Sequence, residues 1–145
     1  MSEWSSDNGQ PSPRVYGVAI EAGSVLLVRA RSRRDGTEVW WLPGGGIHFL
    51  ESPTEALARE FEEETGLALT ATRLLDVVSD SWTRRNGEIA HAIRIIYSAD
   101  VSRGQLRHEG EGSTDQARWV PLSEIGSLEL APYARTAILQ LAQTK

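Results

Sequence analysis

The sequence has no cysteine, which excludes disulfide bonds and thiolate metal sites and agrees with a cytoplasmic location. It also has no apolar run close to the roughly 20 residues that a membrane-spanning helix requires. Residues 1–13 lack the basic start and apolar segment of a secretory signal, so we expect a flexible tail there.

Positive charge is the scarcer sign, with 15 lysine and arginine residues against 20 aspartate and glutamate residues and a net charge of −5. This balance argues against binding to polymeric nucleic acid, because such binding requires a basic surface. With 145 residues, 40% of them hydrophobic, the chain is long enough for one domain with its own core, which we place at residues 14–145.

Runs rich in β-branched and aromatic residues predict strands at residues 14–20, 24–30, 38–42, 74–82 and 90–101, with a last strand ending at 118–121. The first two runs are expected to form a hairpin around residues 21–23, and the third to stop at an LPGGG turn. Asn86 and Gly87 are expected to turn the chain between the two longest runs.

Helices are predicted at residues 53–65 and 132–143, with a helical turn beginning at Ser123. Residues 102–116, rich in glycine, serine and charge, predict a long, mobile loop. Strands, a helix, more strands and a final helix together indicate an α/β fold, in which helices pack on a mixed sheet.

The acidic charge is concentrated between residues 45 and 67. This segment holds six glutamates and one arginine, so it carries a charge of −5, while the rest of the chain balances at 14 acidic and 14 basic residues. Carboxylates this dense repel one another unless they are spread in water or neutralised by cations.

Most of this segment is the first predicted helix. Ser52 is placed to cap its first amides, Pro53 suits the first helical position, and Glu55 completes a capping box. Gly66 is expected to end the helix in the left-handed conformation. The arc predicted to pack on the sheet comprises Thr54, Leu57, Ala58, Phe61 and Thr65.

The adjacent arc carries Glu60, Glu63 and Glu64, because positions i, i+3 and i+4 are neighbours on a helix. Arg59 is placed to bind Glu63. A solvated charged face is the simplest reading of such a helix. The preceding glycine turn, whose backbone can approach a phosphate or a metal, favours a site for hard divalent cations such as Mg²⁺ or Mn²⁺.

Residues 45–67 resemble the Nudix box, in which a glycine and a glutamate precede an Arg-Glu-hydrophobic-x-Glu-Glu-x-Gly-hydrophobic helix. Its fixed positions are filled by Gly45, Glu51, Arg59, Glu60, Phe61, Glu63, Glu64, Gly66 and Leu67. The resemblance extends more loosely to residues 41–44 and 118–125. It implies an α/β/α sandwich around a mixed sheet, and Mg²⁺- or Mn²⁺-dependent attack of water on a phosphorus of a nucleoside diphosphate linked to another group.

The resemblance also implies roles by position. The expected metal ligands are Glu60, Glu63, Glu64 and the carbonyl of Gly44. Arg59 would orient a glutamate. Glu51 would support the site through a salt bridge or a metal-bound water, and a favourable charge near the helix N-terminus explains it equally well. The general base is either a box glutamate or a carboxylate of the distal loop, where the candidates are Glu109, Glu111 and Asp115.

The substrate is expected to be a small nucleotide or nucleotide-sugar, with no membrane partner. Candidate contacts are Gly45, Gly46, Arg29, Arg31, Phe49 and Trp82. A homodimer is compatible with the family. A catalytically weak nucleotide-binding or regulatory module of the same fold is the alternative, although a pure binder has no need of all three glutamates.

Overall fold

A computed structural model describes residues 9–30, 38–106 and 114–143 of the chain. Within these ranges the strands are β1 (Ser12–Val18), β2 (Ile20–Glu21), β3 (Ser24–Ala30), β4 (Val39–Trp41), β5 (Gly44–Gly46), β6 (Leu69–Thr83), β7 (Ile89–Val101) and β8 (Thr114–Pro121). The helices are α1 (Pro53–Thr65), a 3₁₀ helix (Leu122–Ser127) and α2 (Pro132–Gln143). None of the described helices is long and apolar enough to cross a bilayer.

The strands form two sheets. The first has the order β5-β1-β7-β6 and is mixed, because β1 runs antiparallel to β5 and parallel to β7. In the second, β3 pairs with β2, β4 and β8. The predicted α/β class, a mixed sheet flanked by helices, is confirmed.

Two hydrophobic cores lie between the sheets and the helices. Alternate residues of a strand point into different cores. Val15 of β1 packs in one core with Phe61 of α1. The next residue, Tyr16, lies in the other core with Ile138 of α2. β1 is therefore covered on both faces, and α1 and α2 lie in different cores.

The predicted hairpin over residues 14–30 is wrong in its pairing. β1 starts at Ser12, inside the predicted tail, and it pairs with β5 and β7 rather than with β3. At Ala19 the chain leaves the first sheet, and only Ile20 and Glu21 form a hairpin with β3. The tight turn at Ala22 and Gly23, with φ of 52° and 80°, makes this short hairpin.

The predicted LPGGG turn is also wrong, because its three glycines form strand β5 at the edge of the first sheet. Glycine has no side chain, so these residues can form a strand that lies very close to β1. Gly44 has a φ of 150°, and a Cβ placed there would lie 2.0 Å from the carbonyl oxygen of Val15. The two backbones can approach this closely only with glycine at that position.

Helix α1 has its predicted bounds and caps. The Ser52 hydroxyl accepts from the Glu55 amide in a complete capping box, and Gly66 ends the helix at a φ of 80°. The predicted core-facing arc is partly wrong, because Thr54 and Ala58 are exposed whereas Ala56 is buried. The buried face is shifted round the helix towards Glu64, which is itself buried.

The second half of the chain follows the predicted order. β6 begins at Leu69, earlier than predicted, and the turn to β7 contains Gly87 at a φ of 88°. β8 begins at Thr114, so Asp115 belongs to a strand and not to the predicted loop. The 3₁₀ helix and α2 lie where a helical turn and a terminal helix were predicted.

Candidate active site

Arg59 of α1 is the centre of the site. Its Nε donates to Glu51 at 2.8 Å and its Nη2 donates to the other oxygen of Glu51 at 3.0 Å. Nη2 also donates to the Gly46 carbonyl at 3.0 Å, and Nη1 donates to Glu60 at 3.0 Å. The predicted contact with Glu63 is present and is the longest of the set, at 3.4 Å. One guanidinium thus ties the helix to the box loop and to strand β5.

Glu51 is fixed from two directions. Besides the paired bonds from Arg59, one carboxylate oxygen accepts from the His48 amide at 2.9 Å. The side-chain bonds from Arg59, followed by the His48 amide, lower the pKa of Glu51 to about 2. The geometry therefore contains the salt bridge, one of the two supporting roles considered for this residue, and Glu51 remains charged near neutral pH.

This pairing makes stability depend on acid. Because the folded-state pKa is about 2, below the ordinary 4.5, the stabilisation is complete above pH 4.5 and is lost as the pH falls towards 2. We expect Glu51→Gln to be less stable than wild type at pH 7 and the two stability curves to converge towards pH 2. Chemical denaturation at several pH values measures this. A stability difference between Glu51→Gln and wild type that does not change with pH would contradict it. We expect such a pH-independent difference for Glu62→Gln, on the exposed face of α1.

The three predicted metal ligands lie on one side of α1 but point to different partners. Glu64, only 8% exposed, accepts from the Gly44 amide at 2.9 Å. Glu60 binds Arg59, and the half-exposed Glu63 lies at the end of the same guanidinium. Consequently, in the part of the chain that the structure describes, no three acidic or histidine side chains form a ready-made metal cluster.

The donors nevertheless suit a hard divalent cation. The three side chains offer only carboxylate oxygens, which Mg²⁺ and Mn²⁺ prefer, and they adjoin the backbone of β5. Gly45 lets the Glu60 carboxylate lie directly against β5, because a Cβ at that position would lie 2.7 Å from Glu60 Oε2. The chemistry of this donor set therefore fits a hard divalent cation.

The predicted substrate contacts are dispersed. Phe49 is 93% exposed in the box loop, next to an equally exposed Leu50 whose φ of 70° costs a leucine about 1 kcal/mol. Trp82, also exposed, lies near the C-terminal end of β6, and its ring centre is 5.9 Å from the guanidinium of Arg94 in β7. Arg29 is engaged with Glu38 at 2.7 Å. Only Gly45 and Gly46 of this set directly border the Arg59 network.

Three further predictions fall where the structure is silent. Arg31, Glu109 and Glu111 lie outside the described residues. The backbone of Asp115 is described but its side chain is not. The distal general base and the Arg31 contact therefore stay predictions.

One polar cluster near the site was missed from the sequence. Tyr16 Oη accepts from Arg14 Nε at 2.7 Å and from Arg94 Nη1 at 2.9 Å. Arg94 is only 5% exposed and also contacts Asp80 at 3.3 Å. The available signal was an arginine in the middle of the apolar run IAHAIRIIY, since such a residue is rarely buried without partners.

Comparison with known proteins identifies relatives of this chain. The family model of the NUDIX domain matches residues 11–141. The RNA pyrophosphohydrolase of Pseudomonas aeruginosa PAO1 is 40% identical over 156 aligned positions, covering 94% of each chain. YjhB of Bacillus subtilis is 30% identical over 70% of this chain but only 48% of its own length, so the chain spans about half of that relative.

Solved structures give the same picture. The MutT NUDIX hydrolase from Burkholderia pseudomallei superposes with a TM-score of 0.73 at 32% identity, over 90% of this chain and 98% of that one. The NUDIX domain of Shewanella oneidensis NrtR, solved in complex with ADP-ribose, superposes with a TM-score of 0.74. Its coverage is 93% of this chain and 88% of its own, and at 22% identity it shows a shared fold alone.

Proposed function

Since this chain belongs to the Nudix hydrolases and is a pyrophosphohydrolase, we propose that it cleaves a pyrophosphate bond in a nucleoside diphosphate linked to a second group, by attack of water on phosphorus with Mg²⁺ or Mn²⁺. The observation that carries this proposal is the network around Arg59. It joins Glu51, Glu60 and Glu63 to the Gly46 carbonyl, while Glu64 binds the neighbouring Gly44 amide.

The chain's own residues would act mainly by positioning. Glu60, Glu63 and Glu64, with the carbonyl of Gly44, would hold the cations, and Arg59 would keep two of these carboxylates oriented. Glu51 would hold Arg59 itself in place through two hydrogen bonds. Such a fixed arrangement needs little reorganisation during the reaction. Positioning and preorganised charge of this kind supply most of the rate of phosphoryl transfer.

Bound divalent cations would supply neutralisation of the diphosphate and acidification of the attacking water. Without them, a substrate with concentrated negative charge would meet a segment whose own charge is −5. We therefore expect activity to require the added cation. The proton of the water passes to a box glutamate or to one of Glu109, Glu111 and Asp115 in this proposal.

There are two candidate substrates, and they differ in the second group that the pyrophosphate bond joins. A small nucleotide or nucleotide-sugar agrees with the acidic net charge. A 5′-phosphorylated RNA end is favoured by the name of the relative at 40% identity. Location in the cytoplasm and assembly as a homodimer stay predictions.

A substrate panel tests the function directly. ADP-ribose, the nucleoside triphosphates and a short 5′-triphosphorylated RNA would be incubated with Mg²⁺ or Mn²⁺ in ¹⁸O-labelled water, and the products identified by mass. We expect ADP-ribose to give AMP and ribose 5-phosphate, and a triphosphate to give either a monophosphate with pyrophosphate or a diphosphate with phosphate. In each case the ¹⁸O label marks the attacked phosphorus. Failure of every substrate with both cations would contradict the proposal.

A further inference from the structure

Two arginines converge on one phenolic oxygen beside the candidate active site. Arg14 Nε and Arg94 Nη1 donate to Tyr16 Oη at 2.7 and 2.9 Å. Tyr16 is almost fully buried, so this oxygen is a fixed point inside the protein. Two guanidinium charges this close repel each other unless anions balance them.

Arg94 has its balance within the fold. Its Nη2 and Nε donate to the two oxygens of Asp80 at 3.3 and 3.4 Å, and its guanidinium lies 4.5 Å from the ring centre of Tyr133. These contacts hold the Arg94 guanidinium in place beside Tyr16. Tyr16 and Arg94 therefore form a rigid support for Arg14, the other residue that binds the phenolic oxygen.

Arg14 is arranged differently. It uses Nε for Tyr16, and its two terminal nitrogens make no hydrogen bond or ion pair with the residues that the structure describes. Its side chain is half-buried rather than spread in solvent. A guanidinium held by one nitrogen presents a free two-donor edge of the shape that binds phosphate oxygens.

Arg14 lies close to the site. Arg14 of β1 pairs with Gly46 of β5, whose carbonyl accepts from Arg59. Arg14 is also within electrostatic reach of Glu60. A substrate phosphate that binds the glutamates through cations would therefore lie close to Arg14.

We propose that Arg14 is a substrate-binding residue, that its terminal nitrogens bind an oxygen of the pyrophosphate, and that Tyr16 and Arg94 position it. This inference rests on the function proposed above. Because the Arg14 side chain is already held, little freedom is lost when it meets the phosphate. The three residues contribute binding rather than chemistry.

Calorimetry with methylenediphosphonate, an inert pyrophosphate analogue, in excess Mg²⁺ tests this without turnover. Because a charged hydrogen bond pair is lost, Arg14→Gln should bind the analogue about 10- to 100-fold more weakly than wild type. The matched control is Arg73→Gln, which removes the same charge from an exposed position on β6 and should bind as wild type does. Arg14→Lys, which keeps the charge and loses the fork, should fall between.

The positioning role is tested by Tyr16→Phe, which removes only the shared oxygen. With a nucleotide substrate of the wild-type enzyme, we expect KM to rise several-fold while kcat changes little. A purely structural role would instead lower the melting temperature and leave both KM and analogue affinity unchanged. That result would overturn the positioning role of Tyr16.

The outcomes separate this inference from the proposed function. Turnover by wild type together with unchanged analogue affinity in Arg14→Gln and Arg14→Lys overturns the inference alone. Analogue binding that depends on Arg14, without turnover of any panel substrate, supports the inference and removes the proposed reaction. A folded wild-type protein that does not bind the analogue overturns the inference as well.

Discussion

Replacing Glu64 by glutamine is expected to lower kcat by about 10²- to 10³-fold, because the proposed cation ligand, worth several kcal/mol of transition-state stabilisation, would lose its charge. The fold should survive. Glu64 accepts a hydrogen bond from the Gly44 amide, and the glutamine oxygen can still accept that bond. Removing one of several neighbouring carboxylates also relieves repulsion along the helix. Steady-state kinetics at saturating Mg²⁺, with circular dichroism of the same samples, measures both effects.

The matched control is Glu62→Gln. Glu62 lies on the same helix two residues earlier, carries the same charge and is exposed. Loss of net charge alone would change both variants equally, whereas loss of a cation ligand affects only Glu64→Gln. Full activity in Glu64→Gln, or an equal loss in the two variants, would remove the metal-binding role from this carboxylate.

Local features of the sequence predicted the helix that carries the site. The bounds of α1 follow from the capping box at Ser52 and the left-handed Gly66, both of which act within one turn of the helix. The box motif likewise placed Arg59 near the acidic residues. Its bond to the Gly46 carbonyl crosses from helix to strand, however, and no local pattern encodes that contact.

Long-range pairing was the part that sequence patterns could not give. The sequence of β1 predicts half of a hairpin because the turn signal at residues 21–23 follows closely, yet its partners are β5 and a strand more than 70 residues away. The cluster of Arg14, Tyr16 and Arg94 depends on that pairing, because Arg94 enters it only through the β1–β7 register. A residue whose partner is 78 positions distant has no periodic signal of its own.

The shift of the buried face of α1 has the same origin. Helical periodicity gives the angle between residues but not which angle faces the sheet. The structure turns α1 so that Glu64 is buried against β5 while Ala58 is exposed. The hydrogen bond from the Gly44 amide offsets the burial of that carboxylate, so part of the helix orientation is fixed by the site itself.

Gly44 supports the site through the close approach of two backbones, and Gly44→Ala is expected to destabilise the fold by about 3 kcal/mol or more. The added Cβ would lie 2.0 Å from the Val15 carbonyl oxygen and 2.7 Å from the Tyr16 Cα. Neither backbone atom can rotate away as a side chain would. β5 would have to separate from β1, and the amide that binds Glu64 would move with it. Denaturant unfolding measures the loss as a lower midpoint.

Gly46→Ala is the control on the same strand. A Cβ at Gly46 meets no atom within 4 Å and its φ is not in the left-handed region, so stability should change by less than about 1 kcal/mol. A general intolerance of β5 to side chains would destabilise both variants, and a loss confined to Gly44→Ala identifies the backbone contact as the cause. Equal midpoints for Gly44→Ala and wild type would show that β5 can yield without cost. The glycine requirement at this position would then have to lie in the approach of substrate or cation instead of in the fold.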